Sequence, residues 1–217
     1  MCGTVKPQSL LCEPLKTTTK GLIYMKICVF GAASKTIDEK YITPVENMGE
    51  YLARHGHSLV FGAGSTGEMG AASRGFKRGG GIIHGVVPRF FKENLDEFVN
   101  WDCDEMTLTE TMRERKGIME SLADAFIITP GGAGTFEEFF EVLTLKQLGR
   151  HRKPIAIYNI DGYYDHMIDA INYSIKTDFI KSNCSQLFKV FDETQFDEMI
   201  DYIENDDMGN LTVKDLK

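Results

Sequence analysis

Apolar residues along this chain fall into two alternating kinds of segment. Short runs rich in β-branched and aromatic side chains occupy residues 26–30, 58–61, 82–87, 106–108, 126–129, 155–159 and 187–191. Their length and composition read as strands buried on both faces. Between these runs the period lengthens. Tyr41, Val45, Met48 and Leu52 fall on one face of a helix, and Gly56 follows as a stop signal. Further helices are expected at about 67–78, 112–123, 136–148, 164–176 and 194–204. Strands alternating with single helices imply right-handed βαβ units and a parallel sheet covered on both sides. The expected fold class is α/β, a Rossmann-like three-layer αβα sandwich with a mainly parallel sheet. No internal repeat or linker interrupts residues 25–217, which read as a single domain behind a flexible extension at 1–24.

Composition narrows the partners. At 217 residues the chain can bury a sizeable core. A net charge of -8 argues against a nucleic-acid binder, which would carry a basic footprint. It leaves room for a small anionic ligand, because local loops override the global sign. The five cysteines are scattered without CxxC spacing and read as reduced thiols, with Cys28 a small strand residue. The histidines show no metal-ligand spacing, so no metal site is expected. No apolar run is of membrane-spanning length and no secretory signal is evident, which gives an expected cytoplasmic location.

Chemistry gathers at two glycine-rich segments, each following an expected strand. In open α/β sheets that end of the strand is where ligands bind. The first segment, Phe61-Gly62-Ala63-Gly64-Ser65-Thr66-Gly67-Glu68-Met69-Gly70, lets backbone approach a ligand and opens a helix whose free N–H groups favour an anion. It also reads as a tight turn with Ser65 and Glu68 as a capping box. The second runs Pro130-Gly131-Gly132-Ala133-Gly134-Thr135-Phe136-Glu137-Glu138. Its glycines can form an anion nest, with the Thr135 hydroxyl as a further donor. Neither segment ends in Gly-Lys-Ser/Thr, and no acidic ribose anchor follows an N-terminal GxGxxG, so neither a triphosphate site nor bound NAD is expected. Two loops at adjacent strand ends suggest one phosphate held from two sides. Glu138 stays open between catalysis and a Thr135-x-x-Glu138 capping box. A second such box, Thr111 with Glu114, places Arg113, Arg115 and Lys116 in the opening turns of a helix, where cations oppose the helix dipole. A functional site is one reason for a sequence to break that rule, and solvent-facing basic side chains are the other.

Met112-x-x-Arg115-Lys116 followed by Pro130-Gly131-Gly132-x-Gly134-Thr135-x-x-Glu138 resembles the paired signature of the LONELY GUY (LOG) family, cytokinin riboside 5'-monophosphate phosphoribohydrolases also labelled lysine decarboxylases. Gly62-x-Gly64-x-x-Gly67-x-Met69-Gly70 and the stretch from Gln147 through Tyr164 follow the same family order, and the likeness spans about residues 25–205. Two departures stand out: Gly31-Ala32-Ala33-Ser34 where the family commonly has Gly-Ser-Ser, and Arg113 where it often has histidine. The resemblance implies hydrolysis of AMP or N6-modified AMP to free base and ribose 5-phosphate, without metal or organic cofactor, by a homodimer. It assigns catalysis to Glu138 and Arg115. Substrate binding falls to Gly62, Gly64, Thr66, Gly67, Met112, Lys116, Pro130, Gly131, Gly132, Gly134 and Thr135. Alternatives are a broader nucleoside 5'-monophosphate nucleosidase, a non-catalytic nucleotide- or molybdenum-cofactor-binding carrier, and a pyridoxal-phosphate decarboxylase.

Overall fold

The computed structural model describes residues 16–17, 23–206 and 212–216. Short strands β1 (Lys16–Thr17) and β2 (Ile23–Tyr24) pair antiparallel. The body is a seven-stranded sheet of β3 (Lys26–Phe30), β4 (Ser58–Phe61), β5 (Ile83–Pro88), β6 (Glu105–Thr109), β7 (Ala125–Ile128), β8 (Ile155–Tyr158) and β9 (Lys189–Phe191). Every neighbouring pair in it is parallel, in the order β6-β5-β4-β3-β7-β8-β9. The helices are α1 (Glu39–Arg54), α2 (Gly67–Gly79), α3 (Arg89–Asn94), α4 (Met112–Leu122), α5 (Ala133–Gln147), α6 (Asp165–Lys176) and α7 (Phe196–Asn205).

Side-chain alternation along the strands builds two cores. Ile27, Val29, Leu59, Phe61 and Ile127 face a core closed by Val45, Met48 and Leu52 of α1, Phe76 of α2 and Met199 of α7. Cys28, Phe30, Val60, Phe126 and Ile128 face the other, closed by Met119 of α4, Phe139 and Val142 of α5 and Ile171 of α6. With both faces buried, the central strands read as continuous apolar runs rather than an alternating pattern.

The chain steps outward from β3 through β6, then returns to lay β7 against the opposite side of β3. That reversal opens a crevice beyond the carboxyl ends of β3 and β7. The segments Gly31–Ser34 and Thr129–Gly132 therefore meet there, and the Ala32 amide donates to the Pro130 carbonyl at 3.3 Å.

Several expected bounds shift. Helix α5 begins at Ala133, not 136, because the glycines read as loop are wound into its first turn, where Phe136 N–H donates to Gly132 O at 3.0 Å. The short α3 and the β1–β2 pair lack a long enough apolar period to announce themselves. Of the extension expected at 1–24, all but residues 16–17 and 23–24 lie outside the described residues.

Candidate active site

Helix α4 starts where Thr111 Oγ1 accepts from the Glu114 amide at 3.1 Å, an N-cap that supplies one of the partners a helix start lacks. The three cations that follow part company. Arg113 is exposed. Lys116 reaches across to α5 and pairs with Glu137 and Glu141. Arg115 turns inward and is 7% exposed. Its Nε donates to the Val86 carbonyl of β5 at 3.1 Å, and its Nη1 donates to Glu138 Oε1 at 3.2 Å. The guanidinium packs against Gly62 with its Nη2 end, where a Cβ would fall 1.6 Å from Nη2. The first glycine of the first loop thus makes room for the arginine.

Glu138 lies in the second turn of α5, so the capping reading of Thr135 and Glu138 is corrected: Gly132 is the N-cap, without a side-chain bond, and Thr135 is already helical. The side chain of Glu138 is 11% exposed. Burial pushes its carboxyl up to about 7, against the opposing pull of the Arg115 charge and hydrogen bond. A carboxylate poised near neutrality beside a fixed guanidinium can accept a proton or face a developing cation.

The second loop is braced from behind. Tyr163 Oη donates to Gly131 O at 2.9 Å, and Tyr164 Oη donates to Thr129 O at 2.7 Å. Thr135 is buried against Gly131, where a Cβ would stand 2.1 Å from Thr135 Oγ1. With these carbonyls occupied, the first-turn amides of Ala133, Gly134 and Thr135 remain as donors that no helical carbonyl satisfies. Gly132 and Gly134 are exposed. Pro130, Gly131 and Gly132 line a cavity of about 300 Å³ together with Ala32, Ser34, Glu68 and Tyr163. Thr66 and Gly67 line a neighbouring cavity of about 200 Å³ that shares Ser34 and Ile37. The Thr66 hydroxyl is engaged, donating to Ala33 O at 2.6 Å. Gly64 packs on Met69, and Met112 is 41% exposed at the start of α4.

Glu68 was the acid most misjudged by local pattern. It caps nothing: Thr66 is the N-cap of α2 and makes no side-chain cap bond. Glu68 is instead fully buried, with Oε2 accepting from Thr129 Oγ1 at 2.8 Å. The bracing tyrosines were likewise invisible as site residues, because an aromatic pair before a helix reads as core. Among the described residues no helix is long and apolar enough to cross a membrane.

A family model described as possible lysine decarboxylase matches residues 69–203. Curated relatives carry a different description. The cytokinin riboside 5'-monophosphate phosphoribohydrolase LOG of Oryza sativa subsp. japonica is 35% identical over 164 residues, covering 76% of this chain and 67% of that protein. LOG7 of Arabidopsis thaliana, of the same description, is 32% identical over 201 residues, covering 87% of this chain and 92% of that one. Among solved structures, the molybdenum cofactor carrier protein of Chlamydomonas reinhardtii aligns with a TM-score of 0.61 at 21% identity, covering 82% of this chain and 96% of its own. The molybdenum cofactor binding protein of Rippkaea orientalis gives 0.60 at 19% identity, covering 84% and 97%. At those identities the likeness is one of fold. The sequence relationships go further: the chain belongs to the family described as possible lysine decarboxylases, the LOG family.

Proposed function

We propose that this protein hydrolyses the N-glycosidic bond of nucleoside 5'-monophosphates, AMP or N6-modified AMP, to free base and ribose 5-phosphate. The observation that carries this reading is the buried Arg115–Glu138 pair one turn beyond the glycine loop. With a helix rise of about 1.5 Å per residue, Glu138 stands ~5 Å further along α5 than Thr135, on the same face. The amides of the Gly131–Thr135 segment hold the 5'-phosphate, and that remote binding energy positions the anomeric carbon near the carboxylate. As the bond from C1' to the base nitrogen breaks, its electron pair leaves with the base and the ribose becomes oxocarbenium-like. Glu138 faces that charge and takes a proton from the attacking water, whose oxygen bonds C1'. That proton passes on to the departing base, which leaves neutral, and Glu138 returns to the carboxylate. Arg115 fixes the carboxylate and offers its remaining N–H groups to ribose hydroxyls.

The relatives' names support the same chemistry. The family's description as possible lysine decarboxylases finds less support in the side chains. Lys146, the one buried lysine among the described residues, lies near the far end of α5, with Asp206 at 3.8 Å. Exposed Met112 on α4 and Phe140 and Leu148 on and after α5 offer apolar contact for a homodimer, which light scattering tests. A cytoplasmic setting fits the free thiols of Cys28, Cys103 and Cys184.

The test of function is direct. Incubation with AMP and with isopentenyladenosine monophosphate should release the free bases. Cleavage of nucleosides but not of their 5'-phosphates overturns the reading.

A further inference from the structure

Glu68 is a buried acid that the hydrolytic mechanism does not use. Its Oε2 accepts from Thr129 Oγ1 at 2.8 Å, while Oε1 has no hydrogen-bond partner among the described residues. The backbone makes room for this arrangement: a Cβ at Gly31 would stand 2.2 Å from Thr129 Oγ1 and 3.1 Å from Glu68 Oε2. Glu68 also lines the cavity bounded by Pro130, Gly131 and Gly132, at the switch point of the sheet. It is the second residue of α2, so the amides and positive dipole ends of two helices, α2 and α5, meet around that cavity. Such a place suits an anion, and an ionised carboxylate there would repel one.

We propose that the free Oε1 of Glu68 is a phosphate contact: the carboxyl carries a proton and donates it in a hydrogen bond to the 5'-phosphate seated at the Gly131 loop. This deepens the function proposed above and rests on it. Glu68 is then a positioning residue that makes phosphate binding conditional on its own proton.

The surroundings agree. Burial pushes the Glu68 carboxyl up to about 8, with its bonds to Thr129 and Ala32 opposing, and no cation contributes. Tyr163 and Tyr164 both titrate higher than ordinary tyrosine, through burial first and the charge of Glu68 next. Asp38, which lines the same cavity, accepts from the Lys40 amide at 3.0 Å as the cap of α1, and Tyr41 beside it completes the wall. Glu138, on α5, acts on Tyr164 and titrates lower, at about 7. The sign follows: free enzyme loses the Glu68 proton above pH 8, so phosphate binding at higher pH must take one up.

Titration calorimetry with ribose 5-phosphate, which has no glycosidic base to lose, tests this. Its phosphate is essentially dianionic above pH 7.5, with a second pKa of about 6. Wild-type affinity should fall about tenfold per pH unit above pH 8. Binding at pH 9, compared in buffers of different ionisation heat, should take up close to one proton, and Glu138→Gln should keep that uptake. Glu68→Gln should bind with an affinity that no longer changes from pH 8 to 9.5. Equal pH profiles in wild type and Glu68→Gln overturn the proposal. If Glu68→Gln does not fold, absence of proton uptake by wild type at pH 9 overturns it alone. Either of those results leaves base release from AMP intact. Failure of ribose 5-phosphate to bind at pH 7 removes the phosphate site itself, and this inference with it.

Discussion

Two carboxylates one loop apart, Glu138 and Glu68, carry different jobs because their neighbours differ. Glu138 has a guanidinium and titrates at about 7; Glu68 has a hydroxyl and an amide and titrates at about 8. The mechanism needs Glu138 as the carboxylate. kcat/KM for AMP should therefore rise about tenfold per pH unit below pH 7 and fall again above pH 8 as Glu68 loses its proton, two limbs read from a pH–rate profile. Glu138→Gln should lose turnover by about 10²–10⁴-fold with unchanged circular dichroism, because no helix cap is lost with it. Full activity in that variant would detach Glu138 from the chemistry. Gly62→Ala probes the arginine from the other side. A methyl 1.6 Å from Nη2 must displace the guanidinium, so turnover should fall as far as in Arg115→Ala while the fold persists. Assay of both variants on AMP decides it. In the sequence Gly62 looked like a phosphate-loop glycine, and its service to Arg115, 53 positions on, needs the third dimension to be seen.

At the scale of elements, capping patterns proved reliable once in three. Thr111 caps α4 as its sequence suggests, whereas Thr135 and Ser65 do not cap α5 and α2. All three stretches offer a hydroxyl followed by an acid. Helix α5 differs because the chain turns helical three residues earlier, at Ala133, with Tyr163 and Tyr164 holding the carbonyls behind it. A cap motif describes a few residues, and the entry of the chain is decided by what those residues pack against. Thr111→Ala should cost about 1 kcal/mol, the ordinary worth of such a cap, measured as a shift in urea midpoint. Because α4 carries Arg115 in its first turn, the same variant should raise KM or lower kcat for AMP. A stability loss with full activity would show that the tertiary contacts of Arg115 hold the turn unaided.

For the molecule as a whole, buried ionisable groups set how stability follows pH. Glu68 and Glu138 bind protons more tightly folded than unfolded, so folding loses stability as pH rises from the ordinary glutamate range through about 8. Buried His151 and His57 act oppositely: desolvation lowers both, so stability is lost as pH falls below about 6.5. Above pH 6.5 the histidines are neutral in both states and the raised carboxyls set the slope, until buried Lys146, lowered to about 8, begins to oppose them. Stability measured by urea unfolding should therefore fall between pH 6.5 and 8, with about 2 kcal/mol of the fall coming from Glu68. Glu68→Gln should lack that portion, and a flat wild-type profile would contradict the burial of these acids.

The strand–helix alternation, the parallel sheet and the placement of both glycine segments at strand ends were determined by the sequence itself. Periodicity and chain punctuation are local, and the double-sided burial of β3, β4, β7 and β8 makes their apolar runs unmistakable. The partnerships of the acids were decided only by the tertiary structure. Glu138 meets Arg115 across 23 positions and Glu68 meets Thr129 across 61. No local pattern encodes those distances, because they arise where the chain reverses beside β3 and brings two helix starts to one crevice. Burial then does what sequence cannot, turning two ordinary glutamates into groups that titrate near neutrality.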